Sequence, residues 1–179
     1  MKTLCALALA CLVALPAFAQ APAAPPANPI TASVGGQLAM VKGNIVKSAE
    51  QVPESLYGFK ATPEVRSFGQ LFGHVADANY AICAVAAGEK NPGLNVEKTK
   101  TTKADLIAAL NESFAYCEKA LAATTDANGG EMRELFGMKM ARLAWLSFAV
   151  SHDFEHYGNI VTYLRLNKMV PPSSQGRGM

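Results

Sequence analysis

Two histidines, His152 and His156, stand four residues apart inside a long apolar helical pattern, and the chain has one other histidine, His74. Residues at i and i+4 share a helix face, so both rings can present a nitrogen to one ion. Imidazole suits Zn, Ni, Cu and Fe alike. The bland alternative is a pair of histidines hydrogen-bonded at a helix surface. Against it, Trp145 and Ala149 lie on the same stripe, and burying two imidazoles without partners is costly. Three histidines with a fourth position left open is the layout of a catalytic metal site. Such a site lowers the pKa of water or polarises a substrate oxygen.

His152-x-x-Glu155-His156 also fits the H-x-x-E-H protease signature, which needs an acidic ligand far downstream. Only 23 residues follow His156, and none is Asp or Glu. A third protein ligand must therefore come from upstream, and His74 is the best candidate. Asp77 lies one turn from His74 and Asn159 one turn from His156. Either could orient a ligand from behind, although an ordinary polar residue at a helix boundary explains each as well. Asp153 and Glu155 are predicted to point to solvent, and Tyr157 and Tyr163 to pack. Arg142 lies near the histidine stripe; an outward salt bridge suits it better than an anionic substrate.

The elements that must position these residues follow from apolar spacing. Ile30, Val34, Leu38, Val41 and Ile45 form one helical stripe, predicting a first helix to about Ala49. Leu56, Tyr57 and Phe59, in the connection from Gln51 to Ala61, are too apolar for a solvated loop. A second helix is predicted to start with Thr62 as N-cap, Pro63 at N1 and Glu64 at the positive end of the dipole. Its stripe runs from Val65 through Phe68, Leu71, Phe72, Val75 and Ile82 to Val85, with His74 on its flank. A loop with an Asn91-Pro92-Gly93 turn follows. A third helix opens at Thr102, with Asp105 three residues on, and ends near Thr124. The last and longest is predicted over Met138 to Asn167, stopped by Pro171-Pro172. No segment alternates like a strand. The fold class is therefore all-α, a four-helix bundle over residues 30–170 with a polar tail at 171–179.

Cys83 and Cys117 fall in the second and third helices. If these form a simple antiparallel hairpin, the two differ in height by about nine residues, or roughly 13 Å. A disulfide needs Cα atoms within about 7 Å. Two buried free thiols are the expectation.

The N-terminus carries Lys2, an apolar run from Leu4 to Leu15, Pro16, and Ala17-Phe18-Ala19 as a small-x-small cleavage pattern. This reads as a signal peptide over residues 1–19, followed by an Ala/Pro-rich tether at 20–29, so a periplasmic or secreted location is expected. The apolar run is too short for a transmembrane helix, and no such segment is expected in the mature chain. Hydrophobic residues at 50% and charged residues at 17% exclude a disordered chain. A net charge of +2 with no Lys/Arg cluster gives nothing for nucleic acid to bind. The helix stripes are compatible with a homodimer and do not require one.

Leu56-Tyr57-Gly58-Phe59-Lys60, then Thr62-Pro63-Glu64-Val65-Arg66-Ser67-Phe68-Gly69-Gln70-Leu71 and His74-Val75-Ala76-Asp77, resembles the DinB family. So does His152-Asp153-Phe154-Glu155-His156-Tyr157-Gly158-Asn159, continued by Leu164-Arg165-Leu166 and Val170-Pro171-Pro172-Ser173-Ser174. The resemblance implies a four-helix bundle of unusual connectivity. It also implies a divalent metal held by one histidine of the second helix and two of the last, the positions of His74, His152 and His156. Zn or Ni suits such a donor set best, with Fe and Mn as further options. Family members with known activity include thiol-dependent transferases and isomerases; the exported N-terminus departs from the cytoplasmic setting of those thiols. The leading reading is a metal-dependent hydrolase or transferase acting on a small molecule of unassigned identity. Its rivals are a non-catalytic metal- or ligand-binding bundle and a structural bundle without metal.

Overall fold

The computed structural model describes residues 27–176; the signal-peptide reading and most of the tether lie outside the described residues. Four long helices carry the fold: α1 (Pro29–Gln51), α2 (Phe68–Ala87), α4 (Lys103–Ala122) and α5 (Arg142–Leu166). A single turn, α3 (Val96–Thr99), interrupts the α2–α4 connection, and two short strands, β1 (Met132–Leu135) and β2 (Met138–Ala141), precede α5.

Helix directions follow from what touches at each end. Gly69 near the start of α2 faces Leu106 near the start of α4. Asn79 meets Ser113 in the middle, and Glu89 beyond the end of α2 meets Tyr116 and Lys119. α2 and α4 therefore run parallel. α5 runs against α2, because Phe68 at the start of α2 stacks edge-on with Tyr163 near the end of α5. α1 runs against α4: Gly35 faces Leu121, whereas Lys103 Nζ donates to the carbonyls of Glu50 and Val52. α1 and α2 sit on opposite sides, each packed on both α4 and α5.

Parallel α2 and α4 overturn the free-thiol expectation. The connection runs back along α2 before α4 begins, so Cys83 and Cys117 come level. Their Cα atoms are 5.1 Å apart and they form a disulfide, fully buried. The height difference of the simple hairpin does not exist here.

Local chemistry sets the helix starts. α2 begins five residues later than expected, at Phe68. Ser67 Oγ accepts from Gln70 N while Gln70 Oε1 accepts from Ser67 N, a reciprocal capping box. Two satisfied amides outcompete the Thr62-Pro63-Glu64 signal. Phe68 N and Gly69 N are also bonded, to the carbonyls of Phe59 and Tyr57. α4 starts where expected, with Thr102 Oγ1 accepting from Asp105 N. At the other end of the bundle, Asp126 accepts from Ile30 N, Thr31 N and Thr31 Oγ1, so the loop after α4 caps α1.

The last helix begins at Arg142, not Met138. Residues 132–141 form an antiparallel hairpin in which Leu135 pairs with Met138. Phe136 and Gly137 both take positive φ, 52° and 74°, the requirement of a tight type I′ turn. The hairpin was hidden from apolar alternation because its side chains are exposed or half-buried on both faces. Trp145, fully buried, ties it to the core by donating from Nε1 to Arg133 O at 3.1 Å.

The core is filled by Phe68, Phe72, Phe114, Trp145, Ile45, Leu110 and Ile160, with Tyr57 closing one end and Leu56 and Phe59 packed against it, as their apolar character predicts. Asp153 corrects an expectation: it faces inward and is wholly buried. With its amide nitrogen turned toward Asp153, Asn79 reaches both carboxylate oxygens at 3.3 Å. Burial pushes this carboxyl well above the usual range. Arg142 is also buried rather than outward, with NH1 3.9 Å from Glu131. Among the described residues no helix is long and apolar enough to cross a membrane.

Candidate metal centre

His74 lies in the second turn of α2, and His152 and His156 lie on the face of α5 turned toward it. The antiparallel α2–α5 packing brings the three rings together. Their centroids are 4.4 Å apart for His152 and His156, 4.6 Å for His74 and His156, and 5.2 Å for His74 and His152. One nitrogen from each ring can be chosen so that all three lie within 4.8 Å of one another. Nε2 of His152 and Nε2 of His156 are 3.1 Å apart. Two nitrogens each bound at roughly 2.0–2.1 Å to one ion stand about 3 Å apart, so the spacing fits a shared ion. Three imidazoles and no carboxylate suit Zn, Ni, Cu or Fe better than Mg or Ca.

The outer sides of the three rings differ. Glu97 Oε2 lies 3.3 Å from His74 Nδ1. The side-chain amide of Asn159 lies 3.3 Å from His156 Nδ1. Nδ1 of His152 is buried with no partner among the described residues. A carboxylate on Nδ1 keeps the proton there and leaves Nε2 as the free ligand atom.

Glu97, in the single turn α3, is held through its backbone. Asp77, one turn beyond His74 on α2, accepts from Val96 N at 2.7 Å and Glu97 N at 2.9 Å. α3 lies so close to α2 that a Cβ at Gly73 would stand 2.6 Å from Glu97 Cα. Only glycine permits that approach. Asp77 thus touches no histidine; it fixes the backbone of the residue that does. Asn159 contacts His156 directly. Sequence reasoning missed Glu97. Nothing in its own loop singles it out, but a glycine inside the helix next to His74, with an aspartate one turn on, marks a close backbone approach.

Burial favours the neutral form of each ring, the form that binds metal. Burial lowers the pKa of His74, helped by the Arg66 and His152 charges and opposed by Glu97. His152 is pushed down to about 4, by burial first and His156 second. His156 is lowered by burial and then by His74. The charge of Arg66 acts on all three rings.

A cavity of about 580 Å³ opens beside the histidines, lined by His156, Asn159, Tyr163, Glu97, Arg66 and Lys60 among others. Tyr163 donates to Arg66 O at 2.8 Å, and Tyr157 bonds Ser173. Both are packing residues with a tethered hydroxyl. Glu155 is exposed, as expected.

Comparison with known proteins agrees with this architecture. Residues 37–160 match the family model described as the DinB superfamily. A DinB-like protein from Bacillus cereus ATCC 10987 has a similar structure, with a TM-score of 0.68 at 15% identity, over 79% of this chain and 95% of that one. A DinB-like protein from Bacillus subtilis gives a TM-score of 0.65 at 20% identity, over 82% and 99% of the two chains. At these identities the likeness carries the fold alone. No curated protein matches the chain in sequence.

Proposed function

The chain belongs to the DinB superfamily, and from that premise we propose that it is a metal-dependent enzyme, hydrolytic or group-transferring, acting on a small molecule. The observation that supports this most is the convergence of three ring nitrogens within 4.8 Å, at the edge of a cavity of about 580 Å³. A purely structural role does not require three imidazoles to meet, nor a cavity to open beside one of them, His156. His74, His152 and His156 hold the ion, with Zn or Ni the best-suited species and Fe next; Mn, which prefers oxygen ligands, is the weakest fit of the four. When bound, the ion supplies Lewis acidity toward a water molecule or a substrate oxygen.

The remaining parts belong to the chain itself. Glu97 holds the proton on His74 Nδ1, and Asn159 orients His156. Asp77 fixes the backbone of Glu97. The cavity admits a ligand of small-molecule size, within the usual range of roughly 300–1,000 Å³.

We also propose that the protein is exported. The N-terminal apolar run and its cleavage pattern support that reading, and the buried Cys83–Cys117 disulfide suits an oxidising compartment.

The test is metal analysis of protein purified without a polyhistidine tag, beside a His152→Ala/His156→Ala variant. One equivalent of a divalent metal in the wild type and none in the variant is the expected result. A wild type that stays metal-free when supplied with Zn, Ni, Fe and Mn in turn overturns the reading. Fractionation of the native host, with the processed chain outside the cytoplasm, tests export.

A further inference from the structure

The cavity beside the histidines is not electrostatically neutral in its free donors. Arg66 and Lys60 both line it. Arg66 uses Nε on Glu97 Oε1 at 3.0 Å, and the other two guanidinium nitrogens have no partner among the described residues. Lys60, exposed, forms no ion pair among the described residues. Of the acids on the wall, Glu97 is already shared between Arg66 and His74, and Glu64 is exposed, as Arg66 and Lys60 are. The two open arms of the Arg66 guanidinium and the Lys60 ammonium thus line the same cavity as His156, with Glu97 already engaged. A guanidinium in that state matches the geometry of a carboxylate or phosphate.

From this we infer that the cavity takes an anionic small molecule, with a carboxylate or phosphate group seated on Arg66 and Lys60 and its reacting portion toward His156 and Asn159. The inference rests on the metal-centre reading for what lies at the far end of the ligand, but the anion subsite stands on Arg66 and Lys60 alone. Glu97 then has a second consequence. It anchors Arg66 through Nε while it holds His74 through the other carboxylate oxygen, so one side chain sets both the ligand ring and the anion fork. The spacing between the anchored group and the reacting atom of the ligand is thereby fixed by the protein rather than by the ligand.

Calorimetric titration of the purified protein, metal-free and cobalt-loaded, tests this with three probes: inorganic phosphate, succinate, and succinamide as the neutral match of succinate. Phosphate or succinate binds, succinamide does not, and the tighter of the two anions names the group the subsite prefers. Arg66→Gln weakens the anion about 10- to 100-fold, the worth of a charge-assisted contact. That variant also releases Glu97, so Lys60→Gln, which touches nothing around His74, is the second arm; it weakens the anion at least about threefold and leaves cobalt affinity unchanged. Anion affinity equal to wild type in both variants overturns the inference, as does succinamide binding as tightly as succinate, or no binding of either anion at roughly 10 mM. A wild type that binds anions but stays free of cobalt and of Zn, Ni, Fe and Mn overturns the metal reading and leaves the subsite standing. A cobalt-loaded protein indifferent to Arg66 and Lys60 does the reverse.

Discussion

Glu97 Oε2 lies 3.3 Å from His74 Nδ1, while the Glu97 backbone N–H is held at 2.9 Å by Asp77, a residue of the same helix as His74. Glu97 of α3 is thus clamped to the histidine it serves from two sides. Removing the carboxylate frees the ring to rotate and to move its proton. Glu97→Ala should weaken metal binding by about 10- to 100-fold, the usual cost of losing such a partner. Glu97→Gln keeps an acceptor oxygen and should lose less. Competition with a chromophoric chelator measures both; equal affinity in wild type and Glu97→Ala would show that the contact does not orient the ring.

Gly73 makes the clamp possible. A methyl group there meets Glu97 Cα at 2.6 Å and Glu97 N at 2.9 Å, and both are backbone atoms that cannot swing aside. α3 must move off α2, which also strains the two bonds to Asp77. Gly73→Ala should cost about 1–3 kcal/mol of stability, as overpacking does, and should weaken metal binding with it. Gly43→Ala, a helical site with open space around it, should instead raise stability by up to about 1 kcal/mol. Thermal melts and chelator competition on the pair separate a general effect of the methyl group from the contact with Glu97.

The bundle and the three histidines were legible because they rest on local periodicity: Phe68, Leu71, Phe72 and Val75 on α2, and the i, i+4 spacing of His152 and His156 on α5. What was not legible depends on where distant segments return. Cys83 meets Cys117 only because the α2–α4 connection doubles back, and a loop sequence does not announce its path. Glu97 acquires its role from that same path. Asp153 was misplaced because a side chain pointing away from the histidine face was taken to point to solvent; the buried Asn79 that receives it comes from another helix, α2. The hairpin before α5 escaped because Phe136 and Gly137 turn the chain through backbone geometry rather than through apolar alternation.

Asp126 provides a pH signature at the end of the bundle away from the metal. Burial opposes its ionisation, but hydrogen bonds from Thr31 and Ile30 outweigh that and hold the carboxyl below its ordinary range. A carboxyl whose pKa is lowered on folding stabilises the fold above its unfolded pKa, near 4, and loses that contribution as pH falls through the folded value. Asp126→Ala should therefore melt earlier than wild type at neutral pH, with the gap closing below about pH 4. Melting curves of both proteins across pH 2–8 test this; a gap that stays constant with pH would assign the loss to packing rather than to the charge.

The Cys83–Cys117 disulfide joins two parallel helices across 34 residues of chain, and both sulfurs are buried. Loop closure of that length removes entropy from the unfolded chain worth about 3–4 kcal/mol. At roughly 2–4 °C per kcal/mol for a domain of this size, Cys83→Ala/Cys117→Ala should melt on the order of 10 °C lower. The two sulfurs sit beside the Asn79–Ser113 contact, on the side of α2 that faces α4, whereas His74 faces α5. The bridge therefore stabilises the scaffold without touching the histidines. Metal affinity below the melting range should stay within about twofold of wild type, since distant sites act additively. A large drop in metal affinity at a temperature where the variant is fully folded would show that the bridge holds α2 in the register that His74 requires.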